Sequence, residues 1–512
     1  MTFQFVALPD TVRHWASAGP QHVAIAEADR AVTYAQLDDA SSRIANAILA
    51  GAEVGPHVGF LGKNSAAFWE IWLGAAKACH GLAPLNWRCT VTELAEIVRD
   101  AEIVILFAAD EFLETAHKVR AELGGRLDVV PSGSGFSDWL AAQTAGDPLL
   151  PLTGNETALL AYTSGTTGIP KGVEITHRAI GAWFEMSRRE PAETWSSDDV
   201  MLHVMPNFHL AGSFVPLPVL LHGATIAVLP AFEPAALLAA VARHRPTVTC
   251  LVPTAIQMLV TDPRAAGCDF SSLRRVLYAG SPIAAETLTR AISVLGCDLV
   301  QFYGTTEACL VTLLRPADHD VARTNLLASC GQPLPLVDVR IVDLDGADVT
   351  DGEVGELLVR SPAVFRSYWH RPEETAAVLI DGWYHTGDLG RRDQDGYYYL
   401  VDRLKDMIVT GGENVYSVEV ERALYQHPAV AAAAVVGEPD EKWGERIVAY
   451  VVPAPGHAPA ADDLIAHCRR LIAGYKVPKQ VVLVPSLPTT PSGKVQKALL
   501  RAHQRGGGAP RS

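Results

Sequence analysis

Within YAQLDDASSRIANAILAG, apolar residues fall at Leu37, Ile44, Ala45, Ile48 and Leu49, near the 3.6-residue period, and the run stops at Gly51. This spacing predicts an amphipathic helix over 34–51. Unbroken apolar runs at 58–61 and 103–107 read instead as short buried strands. The alternation returns with a strand over 224–229, a helix over 234–244 and a strand over 248–252. Strand, helix, strand repetition predicts an α/β fold of layered subdomains around mostly parallel sheets.

From about residue 337 the texture changes. VRIVDLDG, GELLVR and DGYYYLVDR read as short strands separated by Asp-Gly or Gly-rich turns, a β-rich subdomain over 337–401 that closes an N-terminal domain of 1–401. Beyond it a third pattern predicts a helix over 417–426, strands around 430–436 and 447–452, and a helix over 461–472. These form a small α+β domain over 407–512, a normal domain size.

The chain has 512 residues, 49% hydrophobic and 19% charged, which supplies a sizeable core and argues against disorder. Forty-two Lys and Arg against 57 Asp and Glu leave a net charge of −15, so the surface repels phosphate backbones and no nucleic-acid partner is expected. The first residues lack a basic segment followed by an apolar core, and the apolar stretch 215–230 is cut by Pro216, Pro218, His222 and Gly223. No integral membrane segment and a cytoplasmic location are therefore expected. Eight cysteines without a Cys-x-x-Cys pair fit scattered reduced thiols better than a disulfide frame or a zinc site.

The most informative chemistry lies at 162–172, YTSGTTGIPKG, after an apolar run at 157–161. Thr163, Ser164, Gly165, Thr166, Thr167 and Gly168 offer backbone N–H groups and hydroxyls that can surround phosphate oxygens, and Lys171 adds a positive charge. The spacing is not that of a Walker A loop. A flexible linker is the competing reading, although a linker needs neither the preceding strand nor the closing lysine.

This segment resembles the signature loop of the adenylate-forming superfamily, which comprises acyl- and aryl-CoA synthetases, adenylation domains of peptide synthetases, and beetle luciferases. LYAGSP at 277–282, QFYGTTEA at 301–308, GWYHTGDL at 382–389, DRLKDMIVTGGENVYSVEVE at 402–421, YKVPK at 475–479 and PTTPSGK at 488–494 follow in the family's order. The resemblance spans essentially the whole chain and is nearest to the fatty-acid and aryl-acid CoA ligases. It implies ATP, Mg²⁺ and coenzyme A as cofactor and co-substrates, and a small-molecule carboxylic acid as the partner in the reaction.

The family pattern assigns adenine recognition to Gln301, Phe302, Tyr303 and Gly304 together with Gly280, Ser281 and Pro282. Tyr303, read as standing on a Gly-flanked turn, offers a stacking face and Gln301 an amide, while a buried core tyrosine is the alternative. Thr305 and Thr306 are placed near phosphate. Glu307 is the expected magnesium ligand, since a carboxylate beside phosphate is otherwise repulsive, with Thr163 or a neighbouring hydroxyl completing the shell; a solvated surface charge is the alternative. Asp388, read as lying at a strand end, is assigned to the ribose hydroxyls, and Arg403 to the same sugar or the α-phosphate; a turn-forming Asp and a surface cation are the alternatives. Lys494 corresponds to the catalytic lysine that a mobile C-terminal domain brings to the carboxylate and α-phosphate.

Residues 402–406 match the hinge, with Lys405 as its pivot, and Gly411 and Gly412 match the channel for the pantetheine arm, where a plain turn is the alternative. Plant coumarate-type ligases carry lysines where this chain has Val409 and Gly411, so their coenzyme A contacts do not transfer. His209 in MPNFHLAG is the candidate gate beside the acyl carboxylate, with a core histidine as the alternative; Phe214, Val215, Leu217, Cys309, Leu310 and Val311 are candidate walls. LYAGSPIA contains no arginine for a second carboxylate, and Gly304 stands where acetyl- and propionyl-specific relatives place a Trp. Both absences favour a larger apolar monocarboxylic acid.

A medium- or long-chain fatty acid is the first expectation and a benzoate- or cinnamate-type acid the second. Carrier-protein loading is the main competitor; it is disfavoured because no carrier domain follows Lys494 in this sequence. A luciferase-like oxygenase and a noncatalytic nucleotide binder rank below it. The spacing Pro-x-x-x-x-Gly-Lys at 488–494 resembles sites of protein acetyltransferases, and acetylation would remove the Lys494 charge. A homodimer is compatible with the sequence.

Overall fold

In the computed structural model of the protein, which describes residues 5–51, 55–163, 170–489 and 495–505 with the side chains of 324 and 502–505 excepted, the predicted first helix is Tyr34–Ala50. Thr33 and Gln36 form a capping box at its start, satisfying donors that a helix N-terminus otherwise leaves open. Ser164, Gly165, Thr166, Thr167, Gly168 and Lys494 lie outside the described residues.

The chain divides into two units. The first comprises Met1–Val339, Val359–His385 and Gly396–Tyr398; the second comprises Arg340–Leu358, Thr386–Asp395 and Tyr399–Ser512. The division passes through the β-rich segment, so its strands Gly355–Arg360 and Trp383–Arg392 each contribute to both units.

Two sheets build the first unit. Six strands run in the order Asp128–Pro131, Ile105–Ala108, His57–Leu61, Gly81–Pro84, Thr157–Thr163, Lys171–Thr176, parallel except for the last pair. Nine strands form the other sheet. Its parallel centre runs Asp298–Thr305, Arg275–Ala279, Val248–Leu251, Val200–His203, Thr225–Val228, Val23–Ala26, and antiparallel strands close both edges. The predicted helix over 234–244 is present as Pro234–His244, with Glu233 accepting from the amides of Ala235 and Ala236.

The helix Ala66–Lys77 is buried on every side, which is why it presents no amphipathic period to a sequence reading. Its Lys77 is satisfied inside the protein, donating to Asp38 Oδ1 at 2.6 Å and Ser42 Oγ at 2.8 Å, with Asp147 3.0 Å away. Proline-bearing Leu217–Leu221 is the helical piece of the apolar stretch 215–230, and no described helix is long and apolar enough to cross a membrane.

The second unit has its own core. Val430–Asp440 and Gly444–Pro453 form a long hairpin, with Gln480–Leu483 and Ile408–Thr410 beside the latter strand. The helices Ser417–Tyr425 and Ala461–Leu471 contribute Val420, Leu424, Leu464 and Cys468 to a cluster with Ile408, Val435 and Ile447. None of the eight cysteines is in a disulfide, and Cys250, Cys309, Cys330 and Cys468 are buried.

Candidate active site

Three predicted segments follow the carboxyl ends of parallel strands in the nine-stranded sheet. Gly280, Ser281 and Pro282 follow Arg275–Ala279, Thr306 and Glu307 follow Asp298–Thr305, and Met205 to His209 lie just beyond Val200–His203. Open α/β sheets bind ligands outside these ends. Gly280 turns the chain there with φ +96°, a conformation costly for a residue with a Cβ.

Gln301, Phe302, Tyr303, Gly304 and Thr305 are all strand residues. Tyr303 therefore stands in a strand rather than on the expected turn, and is only 8% exposed. Register slips between Tyr303 and Gly304, the local bulge that lets the neighbouring antiparallel strand fold back tightly. A Cβ on Gly304 would lie 1.8 Å from the carbonyl oxygen of Cys309, so only glycine fits.

Thr163 and Lys171 are register partners at the ends of the strands that carry the candidate phosphate loop. Beside them, Tyr368 joins three groups. Its hydroxyl donates to Glu307 Oε1 at 2.8 Å, its ring lies 5.1 Å from the Lys171 ammonium, and its backbone bridges to Val173. Burial, reinforced by the Glu307 charge, pushes the Tyr368 hydroxyl far above the usual tyrosine range and keeps it a donor. Lys171 also pairs with Glu374. A buried Glu174, which binds Arg366 and Ser367, fixes the 366–368 segment against the same strand.

Among the described residues no cluster of three acidic, His or Cys side chains could cage a metal. Magnesium needs no such cage, since one or two carboxylates plus substrate phosphates and water suffice. Glu307 fits that role: one oxygen is engaged by Tyr368, which leaves Oε2 for a cation, and Thr163 adds a hydroxyl at the loop's start.

His209 is half-buried with its ring 4.5 Å from Phe208, and its carbonyl accepts from the amides of Gly212 and Ser213. The candidate wall residues Phe214, Val215, Leu217, Cys309, Leu310 and Val311 are all buried. Trp183, which carries no motif signal, stacks on Phe214 at 6.1 Å and meets Phe302 edge-on at 6.0 Å.

In the second unit, Arg403 Nε donates to Asp388 Oδ1 at 2.6 Å; the Asp388 side chain is 6% exposed and that of Arg403 47%. Asp388 sits inside the strand Trp383–Arg392 rather than at a strand end, because pairing continues past the Thr-Gly step. Lys405 lies in a short turn, Leu404–Asp406, and desolvation together with Arg403 and Arg501 draws its ammonium below the usual lysine range. Gly411 and Gly412, at φ +61° and +85°, make the two-residue hairpin turn between Ile408–Thr410 and Glu413–Val415. The helix Lys497–Arg505 reaches back to this region, with Arg501 donating to Asp406 at 2.9 Å and Lys497 to Ser417 at 2.7 Å.

The first unit thus gathers Gly280, Ser281, Pro282, residues 301–307, Thr163, Lys171 and His209, and the second holds Asp388, Arg403, Lys405, Gly411 and Gly412. Tyr368 is the site neighbour that sequence reasoning missed: SYWH matches no motif, and its partner Glu307 lies 61 residues away.

Known proteins resemble this chain along most of its length. Residues 12–369 match the AMP-binding enzyme family and 419–494 the AMP-binding enzyme C-terminal domain. A feruloyl-CoA synthase of an Amycolatopsis species is 41% identical over 488 residues, covering 95% of this chain and 96% of its own. The fatty acid–[acyl-carrier-protein] ligase ScoC of Streptomyces coeruleorubidus is 37% identical over 502 residues, covering 97% and 96%. The crystal structure of ATP-bound MatB from Rhodopseudomonas palustris superposes with a TM-score of 0.86 at 29% identity, covering 98% of this chain and 99% of that one.

Proposed function

Because the chain belongs to the AMP-binding enzyme family, we propose that it activates an apolar monocarboxylic acid, with a medium- or long-chain fatty acid as the preferred substrate. The enzyme is an ATP-dependent, AMP-forming acid–CoA ligase. A carboxylate oxygen of the acid attacks the α-phosphorus of ATP, the bond to pyrophosphate breaks, and acyl-AMP forms. The coenzyme A thiol then loses its proton and attacks the acyl carbon, expelling AMP. Activation replaces a poor leaving oxygen with a good one.

We assign the roles residue by residue. Gly280, Ser281, Pro282 and residues 301–304 receive the base at the strand ends, and Asp388 with Arg403 holds the ribose and α-phosphate. Lys171 exchanges Glu374 for phosphate, and Thr305 and Thr306 stand beside it. Glu307 and Thr163 would hold Mg²⁺, which when bound would supply charge neutralisation on the phosphates. Lys494 contributes the ammonium for adenylation, the segment 402–406 turns about Lys405, and Gly411 and Gly412 admit the pantetheine arm. His209 stands beside the acyl carboxylate. A cytoplasmic location goes with this reading, since ATP and coenzyme A are both substrates.

One observation carries the proposal: Tyr368 holds the Glu307 carboxylate and lies under the Lys171 cation at the base of the phosphate loop, a cation site and an anion site side by side. The aromatic contacts of Trp183 with Phe214 and Phe302 favour a second reading, an aryl acid of the benzoate or cinnamate type. Acid-dependent pyrophosphate release over a panel of fatty and aryl acids, with thioester assayed with and without coenzyme A, tests both. Release without any thioester would favour loading of a carrier protein, and no acid-dependent release would end the ligase reading.

A further inference from the structure

Gln301 stands at one end of a hydrogen-bond chain whose proton order is set from the other end. Tyr278 and Gln301 are register partners on adjacent parallel strands, and the Tyr278 hydroxyl is 3.4 Å from Gln301 Oε1. The same hydroxyl is 3.0 Å from His319 Nε2, and His319 Nδ1 is 2.8 Å from the carbonyl oxygen of Arg315. Tyr278 is fully buried, and its ring meets the His319 imidazole edge-on at 5.7 Å.

A carbonyl oxygen can only accept, so His319 Nδ1 carries a proton. Burial opposes a second proton on the ring and outweighs the pull of Asp318 and Asp298, so Nε2 remains an acceptor. The opposite tautomer would set the Nδ1 lone pair against a carbonyl lone pair at 2.8 Å. Tyr278 therefore donates its single proton to His319 and faces Gln301 with lone pairs only. With Oε1 toward that hydroxyl two acceptors would face each other; turning the amide over, which keeps its shape, meets the hydroxyl with an N–H and leaves the carbonyl oxygen for the ligand.

We infer that Arg315, His319 and Tyr278 form a one-way relay that presents Gln301 to the nucleotide as a hydrogen-bond acceptor, selecting purines that carry a 6-amino group over those that carry a 6-oxo group. This rests on Gln301 being a base contact, as proposed above. Tyr278 and His319 are positioning residues: neither touches the base, and their effect passes through the orientation of one amide. A donor facing the 6-amino group, or an acceptor facing a 6-oxo group, leaves a buried polar group unpaired, the situation that discriminates most strongly.

The test compares equilibrium dissociation constants for ATP and inosine triphosphate, which differ at the 6-position. His319→Leu removes the acceptor, frees the Tyr278 proton for the Gln301 carbonyl and turns an N–H toward the base; the preference for ATP should fall about tenfold or more. Tyr278→Phe releases the amide from both orientations and should lower the preference by a smaller factor, and it carries the test if His319→Leu fails to fold. Gln301→Glu in the His319→Leu background restores an obligatory acceptor and should recover the preference for ATP, a rescue that a merely structural role would not produce. An unchanged ratio in a folded His319→Leu or Tyr278→Phe protein, with Gln301→Ala lowering it, overturns the relay alone. A ratio that Gln301→Ala also leaves unchanged overturns the base contact itself.

Discussion

The hydroxyl of Tyr368 donates to Oε1 of Glu307 at 2.8 Å, fixing the orientation of that carboxylate at the base of the candidate phosphate loop. Tyr368→Phe removes this bond and keeps the ring under Lys171. A hydrogen bond to a charged group is worth about 1.5–3 kcal/mol. The variant should therefore need more Mg²⁺ for half-maximal adenylation and lose about tenfold or more in kcat/KM for ATP. A Mg²⁺ titration that matches the native enzyme would remove Tyr368 from the site.

Asp388 is buried with one oxygen committed to Arg403, a placement that suits a fixed acceptor for sugar hydroxyls. Asp388→Asn keeps the shape and removes the charge. The preference for ATP over 2′-deoxy-ATP should narrow, with a rise in KM larger than the fall in kcat. Equal loss on both nucleotides would assign Asp388 to holding Arg403 rather than to the ribose.

Lys494→Ala should abolish acyl-AMP formation, while thioester formation from supplied acyl-AMP continues. The two half-reactions separate because the ammonium meets negative charge that develops only during adenylation, and losing such a contact commonly lowers the rate about 10²–10³-fold. Equal loss in both half-reactions would refute the role. Chemically acetylated enzyme that keeps its first-step rate would refute control by acetylation.

Two buried histidines make the fold acid-sensitive. Burial lowers His177 and His203 to about 4, against 6.5 for the free side chain. The unfolded chain thus takes up their protons first, so each contributes stability that is complete above about pH 6.5 and declines as pH falls toward 4. At about 1.36 kcal/mol per unit, each share is on the order of 3 kcal/mol near pH 4. Glu70 and Glu193, raised by burial, act in the opposite sense, so the check is a difference. The urea midpoint of His203→Phe, relative to the native chain, should rise as pH drops from 7.5 to 5.5. A constant difference would show that His203 takes no part.

Patterns of period 2 and 3.6 are local, and what they report here is local: the helices Tyr34–Ala50, Pro234–His244 and Ser417–Tyr425 and the strand Gly355–Arg360 stand where the residue spacing puts them. The ordered motifs named the chemistry because phosphate, metal and base each demand particular side chains. The uniformly buried helix Ala66–Lys77 gave no such signal, since a helix with no wet face has no period to detect. The sequence reading puts Tyr303 on a glycine-flanked turn and Asp388 at a strand end, but strand pairing runs through both.

The partners that orient the site could not be read in advance. Tyr368 reaches Glu307 across 61 residues, and His319 reaches Tyr278 across 41, distances at which spacing carries no information about contact. Residue types and short-range order alone determined which elements and reactions this chain supports. Which oxygen accepts, which nitrogen carries the proton and which carboxylate is held were decided only when folding placed distant strands side by side, because hydrogen bonds depend on angstrom-scale geometry that no linear pattern encodes.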